Sequence, residues 1–578
     1  MPLLDRTTAL PHAVSLITTL AAGFGLALIL GFIAARLGLP ALVGYLLAGI
    51  AIGPATPGFV ADVEIAAQLA EIGVMLLMFG VGLHFAVDDL LAVRKIALPG
   101  AVVQMVVATA LGAGVATWWG WSLGAALVFG ISLSVASTVV LLKALESRGI
   151  LDSANGRIAV GWLVVEDLAM VLVLVLLPAL APSLGGTASS DSTRGAGLTV
   201  LITLAQVGAF IAFMLIVGRR FFPWALWHVT KTGSRELFTL CIVAAAVSIA
   251  YGSAALFGVS FALGAFFAGM VLRESEFSQR AAEQTLPLQD AFAVLFFVSV
   301  GMLFDPNVLV EEPLHVLATV AVIVVGKSVA AILLVLALRY PVKTALTVSA
   351  SLAQVGEFSF ILAGLGMTLG LLPKEGQSLI LAGALISMAL NPFEFTAIEP
   401  IPRWLVRHPR LSERLEPAAN PLTELPMSTE ARFLSNQVVL VGWGRVGKRI
   451  ADALGAEGVP FVVAESNREL VEMLRARGVP AVWGDATVPD VLIQAHIRDA
   501  RALVIATPET VQVRKMTEVA RALNPDVDVV VRSHNAEEAE RLRSDGIGTV
   551  FVGETELARS MTRHVLGLVG VKGIQPAI

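Results

Sequence analysis

Long apolar runs, each ended by a few polar residues, fill the chain from about residue 12 to residue 391. Their lengths predict thirteen helices, near 13–36, 41–53, 63–84, 96–117, 121–146, 158–180, 197–218, 235–251, 255–272, 286–303, 313–338, 342–369 and 376–394. A helix needs roughly 20 apolar residues to cross a bilayer, so the shorter segments read as broken or strongly tilted. After residue 399 the pattern changes to a polar, proline-bearing stretch, EPIPRWLVRHPRLSERLEPAANPLTELP, which reads as a linker. Beyond it, short β-branched runs (QVVLVGWG, PFVVAES, ARALVIATP) alternate with helical ones (RVGKRIADALGAEG, RELVEMLRARG). That alternation predicts a doubly wound parallel sheet. The expected organisation is a membrane domain over 1–396, a linker over 397–436 and a Rossmann-like α/β domain over 437–578. The closing ELARSMTRHVLGLV reads as an amphipathic helix suited to pairing with a second copy.

Composition agrees with this division. Of 578 residues, 56% are hydrophobic and 15% charged, where a soluble chain carries about 25% charged. Fewer Lys and Arg residues lie in the first 400 positions than after them. A net charge of −5 offers no basic surface for nucleic acid. The lone Cys241 excludes a disulfide framework and a cysteine metal site, and fits a small buried hydrophobe. The amino-terminal MPLLDRTTALPH lacks the basic flank and cleavage site of a signal peptide, so the first apolar run is expected to be retained. Alternate loops carry contrasting charge. One set holds Arg36, Arg94, Lys95, Lys143, Arg148, Arg157, Arg219, Arg220, Lys231, Arg235, Arg273, Arg280, Arg339 and Lys343. The other holds only Arg194 and Lys374, beside Asp62, Asp305, Glu311 and Glu312. Basic loops favour the cytoplasm, which puts the N-terminus outside and the C-terminal domain inside.

Against this apolar background, the charges at bilayer depth are Glu71, Glu166, Asp167, Lys327 and Glu357. Each costs at least a few kcal/mol there, so such groups face a cavity or a partner and mark ion pathways. In GWLVVEDLAM, Glu166 and Asp167 are neighbours. They point about 100° apart on a helix and cannot share one direction. Asp167 is the better ion site, a carboxylate for which proton and metal cation compete. Lys327, within VAVIVVGKSVAAILLVL, needs a carboxylate partner, and Glu166 or Asp167 could supply it. Ser132, Ser134, Ser137 and Thr138 crowd one segment, and Gln354, Gly356 and Glu357 another. Hydroxyls satisfy freed backbone groups and glycine permits unwinding, so both segments read as discontinuous helices whose ends coordinate ions. They fall in the fifth and twelfth expected helices, as corresponding parts of two inverted repeats would.

In the soluble part, GWGRVG at 442–447 follows a strand and opens a helix, the context a dinucleotide-binding loop requires. Gly442, Gly444, Arg445, Val446 and Gly447 would bring backbone N–H groups to a phosphate. Glu465 ends the second strand, where it can accept from ribose hydroxyls. Asp485 and Ala486, after the third strand, border the same crevice. No following domain holds an oxidisable substrate, which favours nucleotide sensing over hydride transfer; AMP and NAD(H) fit equally.

With these residues in hand, the chain resembles the monovalent cation:proton antiporter-2 family, in its Kef-like branch. The resemblance rests on FGVSFALGAFFAGMVLRESEFSQRA (257–281), LPLQDAFAVLFFVSVGMLFDP (286–306), SLAQVGEFSFIL (351–362) and VVLVGWGRVG, the last similar to a TrkA-N (RCK-type) domain. It covers nearly the whole length. It implies a sodium/proton-exchanger fold of about thirteen helices, elevator-like alternating access and a homodimer in the bacterial inner membrane. It also implies that Asp167 is the ion-binding aspartate, with Ser137 and Thr138 on the broken helix beside it and Lys327 at a core-helix basic position. Glu166 departs from the pattern. Glutathione-gated members have glutamine before the aspartate and electrogenic sodium exchangers have aspartate, so neither gating nor charge per cycle carries over. The expected protein is a K+ (or Na+) to proton antiporter, gated by regulatory AMP or NAD(H), with no redox cofactor or structural metal. Its rivals are a ligand-gated potassium efflux channel and a membrane-bound NAD-dependent oxidoreductase.

Overall fold

A computed structural model describes residues 12–568, apart from 58, 85–86, 152, 187–195, 274, 276, 407, 409–421, 427–428, 508–509 and 534–535. Arg194, one of the loop charges, lies outside the described residues. The chain divides into two compact units, Met1–Glu416 and Pro417–Ile578.

The first unit is helical. Among the described residues ten helices are long and apolar enough to cross a membrane, or eleven if the bent pair Val342–Leu352 and Glu357–Thr368 is one span. The segments expected at 41–53 and 255–272 form the shorter apolar helices Ala41–Ile52 and Phe261–Arg273. Pro40 sets the start of the first of these, and Gly258, at φ +67°, stops the helix preceding the second. Thirteen apolar segments are therefore present, but length qualifies only ten or eleven as crossings. One expected boundary is also corrected. The segment ending at 218 continues through a π-type turn, Met214–Gly218, into helix Arg219–Thr230, so Arg219 and Arg220 are helical. Stacked Phe221, Trp224 and His228 line that extension.

Backbone proximity holds the helices together. A Cβ on Gly49 would fall 2.0 Å from Val298 O, and one on Gly301 would fall 2.2 Å from Leu46 O. Helices Ala41–Ile52 and Ser278–Met302 thus touch main chain to main chain. In lipid, where apolar surface gains nothing by leaving the solvent, such close packing is the main source of association. Trp162, Phe79 and Phe129 are fully buried within the bundle.

The second unit holds six parallel strands: β1 (Val438–Val441), β2 (Phe461–Glu465), β3 (Ala481–Trp483), β4 (Ala502–Ile505), β5 (Asp528–Ser533) and β6 (Thr549–Val552). Their order is β3-β2-β1-β4-β5-β6. Val439, Val462, Leu503 and Ile505 are fully buried, as strands covered on both faces require. Part of the expected linker belongs to this unit. Leu422 O accepts from Trp483 N at 2.7 Å and from Arg475 at 3.0 Å, which covers the β3 edge. Partial burial there pulls the Arg475 guanidinium below its ordinary value.

Candidate functional site

Two helical spans are interrupted where the sequence placed its polar residues. Leu123–Ser134 gives way to Thr138–Glu146 across an extended stretch at 135–137. Val342–Leu352 gives way to Glu357–Thr368 across 353–356, with a 44° bend. The two interruptions touch. A Cβ on Gly356 would fall 2.5 Å from Ser137 Cα. The Gln354 amide pairs with the Ser137 backbone on both sides: Ser137 N donates to Oε1 at 2.9 Å and Nε2 donates to Ser137 O at 3.0 Å.

Each break leaves backbone groups without helical partners, carbonyls on one side and N–H groups on the other. Side chains of matching chemistry meet them. Gln104 Nε2 donates to Ser134 O at 3.1 Å, and Lys327 Nζ donates to Gln354 O at 2.9 Å. Asn391 Nδ2 donates to Ala350 O at 2.7 Å. On the N–H side, Glu166 Oε2 accepts from Ala136 N at 2.9 Å. Cation at a carbonyl end and carboxylate at an amide end is also the favourable sense for helix dipoles. Lys327 directly follows a π-type turn, Val322–Gly326, which rotates it relative to the preceding helix.

The remaining carboxyl oxygens are less well served. Thr138 Oγ1 donates to Asp167 Oδ2 at 3.0 Å, and Ser137 Oγ donates to Glu357 Oε2 at 3.1 Å. Asp167 Oδ1, Glu357 Oε1, Glu166 Oε1 and Glu394 Oε1 are buried without a hydrogen-bond partner. Glu166, Glu357 and Lys327 are at most 1% exposed and Asp167 is 5% exposed. Asp167 has Glu357 and Glu166 as charged neighbours, and Lys327 has Glu166 and Glu394. Four carboxyls against one ammonium exceed what a low-dielectric interior holds as free charge, so the arrangement requires protons or cations.

All six residues expected at an ion site, Glu166, Asp167, Ser137, Thr138, Lys327 and Glu357, thus gather around one crossing. Of the two carboxylates expected beside Lys327, Glu166 is its charged neighbour, while its hydrogen bond goes to the Gln354 carbonyl, an acceptor that the break frees. Glu166 and Asp167 both face the first break, one bonding main chain and the other a hydroxyl. Glu71 is exposed on Val63–His84 and has no part in these contacts. The sequence reading missed Gln104, Asn391 and Glu394. A lone amide or carboxyl near a helix end carries no periodic signal, and only the frayed carbonyls opposite reveal its use.

In the second unit the glycine loop runs from β1 to helix Arg445–Ala456. Gly442 has φ +93°, a conformation that disfavours any Cβ, and a Cβ on Gly447 would fall 2.0 Å from Gly442 O. Gly444 has open space beside it, while Arg445 is exposed and Val446 half-buried. Glu465, 7% exposed, accepts from Trp443 N at 2.7 Å and Asn467 N at 2.9 Å, which fixes it against the loop. Ala486 is buried, and Asp485 is exposed with its Oδ1 accepting from Thr487 N at 2.9 Å. Thr507, after β4, was not anticipated. Its methyl lies against Gly442 and its buried hydroxyl lacks a partner. The tight glycine turn, the helix start, the acidic residue at the β2 end and this orphan hydroxyl, at the point where strand order reverses, fit a nucleotide.

Residues 24–398 match the family described as sodium/hydrogen exchanger, transmembrane, and residues 438–553 match the TrkA-N domain. The putative cation/proton antiporter YbaL of Escherichia coli (strain K12) is 51% identical over 553 residues, 95% of this chain and 97% of that protein. The putative K(+) efflux antiporter KefB of Alkalimonas amylolytica is 30% identical over 526 residues, 91% of this chain and 77% of that protein. The solved sodium proton antiporter MjNhaP1 of Methanocaldococcus jannaschii covers 67% of this chain and 99% of its own, at TM-score 0.54 and 16% identity, a likeness of fold.

Proposed function

Because the chain belongs to the sodium/hydrogen exchanger family, we propose that it is a monovalent cation:proton antiporter of the bacterial inner membrane, regulated by nucleotide at its TrkA-N domain. The observation that carries this reading is the pair of buried, partnerless oxygens, Asp167 Oδ1 and Glu357 Oε1, at the crossing of two broken spans. Asp167 takes a proton or an alkali cation in turn. Thr138 Oγ1, Ser137 Oγ and Glu357 supply oxygens that replace the water a bare alkali ion gives up. A proton satisfies the same oxygens at no cost in space, so one occupant displaces the other. Glu166 and Lys327 are positioning residues that hold the frayed backbone ends on either side. K+ is the favoured cargo, in keeping with the similarity to a putative K(+) efflux antiporter; the oxygen set itself does not exclude Na+.

In the second unit, AMP or NAD(H) would lay a phosphate over Gly442, Gly444, Arg445, Val446 and Gly447. Glu465 would take the ribose hydroxyls, and Asp485 and Ala486 border the crevice. Nucleotide binding changes transport only to the extent that its affinity differs between the two transport states. The loop charges support an outside N-terminus and a cytoplasmic C-terminal domain, and the chain is expected to work as a homodimer.

The decisive measurement is flux in proteoliposomes with K+ and Na+ across pH, with and without AMP and NADH. Competition at Asp167 predicts an apparent KM for the cation that rises with proton concentration, and coupled proton movement. Cation efflux without proton movement would instead establish a channel, and nucleotide consumption an oxidoreductase.

A further inference from the structure

Away from the crossing, three potential metal ligands converge at the starts of two helices. Glu312 immediately precedes the span Pro313–Ala337, His315 lies in its first turn, and Glu375 lies in the first turn of Lys374–Ile398. His315 Nδ1 is 3.1 Å from Glu312 Oε2 and also 3.1 Å from Glu375 Oε1. All three ligand atoms lie within 4.8 Å of one another. The imidazole packs on Trp119, whose ring centroid is 4.1 Å away at an interplanar angle of 34°. Side chains of one helix packed on a glycine of the other hold the pair together too: a Cβ on Gly383 would fall 2.7 Å from Ile323 Cδ1 and 2.9 Å from Thr319 Cγ2.

The three groups are partly exposed, so water and a cation can both reach them. One ring nitrogen carries at most one N–H, which can point well at one oxygen only. The second oxygen, at the same distance, must share that N–H in a bent bond or take its donor from water. In the tautomer with the proton on Nε2, three lone pairs converge, an arrangement that calls for a donor or a cation among them. A divalent cation resolves both cases. Bonds of about 2.0–2.1 Å in a tetrahedral site put ligand atoms roughly 3.3 Å apart, close to the two 3.1 Å separations from His315 Nδ1. One imidazole and two carboxylates suit a borderline first-row cation, with a fourth position left for water.

We propose that Glu312, His315 and Glu375 bind one divalent first-row metal ion, with Zn2+ as its redox-inert representative, and that the ion ties the two helices together. This departs from the sequence expectation of no structural metal. The tie joins two elements that serve the crossing, since Pro313–Ala337 carries Lys327 and Lys374–Ile398 carries Asn391. It lies at the beginning of Lys374–Ile398, the end opposite that from which the chain leads on to its second unit.

The test uses the purified full chain in detergent, stripped with chelator and free of any histidine tag. Co2+ serves as the optical probe and Zn2+ is titrated by calorimetry. The expected result is one equivalent of Zn2+ per chain, displacing Co2+ and abolishing its visible d–d bands. His315→Ala and Glu375→Gln should each weaken binding by at least about tenfold, while His228→Ala, a histidine on another helix, should not. Glu375→Gln keeps the shape of the side chain, so it remains informative should His315→Ala fail to fold. Absence of one-equivalent saturable binding, or equal affinity in the parent, His315→Ala and Glu375→Gln, would overturn the proposal.

Discussion

Replacing Gly356 by alanine tests whether the contact between the two breaks is required for exchange. The new Cβ would sit 2.5 Å from Ser137 Cα and 2.8 Å from Ser137 N and Cβ. Non-bonded carbon atoms settle at about 3.5–4.0 Å, so the breaks must part by roughly 1 Å. Gly356 itself has an extended backbone, φ −125° and ψ −166°, which alanine adopts freely, so the effect is one of space alone. Overpacking of this kind costs about 1–3 kcal/mol. The same movement stretches the two Gln354–Ser137 bonds, now 2.9 and 3.0 Å, past useful length, at about 1 kcal/mol each. Together these disfavour the crossed arrangement by about 3–5 kcal/mol, at least roughly a hundredfold in population. The assay is cation-driven proton movement in proteoliposomes with an internal pH dye, with folding followed by size-exclusion elution and circular dichroism. Gly364→Ala is the control, since that glycine lies on the same half-helix with nothing within 4 Å of its added Cβ. Exchange should fall at least about tenfold in Gly356→Ala and stay at the parent level in Gly364→Ala. A folded Gly356→Ala protein exchanging at the parent rate would refute the reasoning.

Other substitutions separate the remaining roles. Asp167→Asn should abolish exchange while leaving the protein folded, since an amide can still accept from Thr138; near-normal flux would remove Asp167 from the site. Glu166→Gln and Lys327→Gln each keep a hydrogen bond to the frayed backbone but lose a charge. If the two charges depend on each other, a double-mutant cycle on unfolding should show coupling of about 1 kcal/mol or more; strict additivity would show that they do not. Glu465→Gln should weaken AMP or NADH binding by about tenfold without removing basal transport, and unchanged affinity would count against its contact with ribose. Thr507→Val, which keeps the methyl against Gly442 and removes the orphan hydroxyl, should weaken nucleotide binding without altering the loop; identical binding isotherms would show that the hydroxyl is idle.

The membrane character of the first unit was legible because lipid allows little beyond long apolar helices, and a carboxylate such as Asp167 inside one is conspicuous. Both breaks were legible for a related reason: Ser137 with Thr138, and Gln354 with Gly356, are residues that helices in lipid do not gather without cause. The nucleotide loop was visible because 442–447 allows few alternatives to glycine, as the φ of Gly442 and the crowding at Gly447 explain. The extension through Arg219–Thr230 was missed, since two arginines at a run's end look like a loop when the aromatic face beyond them is not weighed. Glu394 and Asn391 were missed for want of any local pattern.

Sequence by itself thus determined four of the groups that are buried at a cost, Glu166, Asp167, Lys327 and Glu357, but not Glu394, and it placed the exposed Glu71 among them. Tertiary structure decided what each of them does. Ser137 meets Gln354 across 217 positions and Glu357 across 220, contacts that no local pattern encodes. Helical geometry fixes that Glu166 and Asp167 diverge by about 100°, but not what lies along either direction. In the fold, Glu166 meets a backbone N–H freed by one broken span, and Lys327 a carbonyl freed by the other. Asp167 is left with one oxygen bonded to a hydroxyl and the other bare, and in the function we propose that bare oxygen is the seat for an ion.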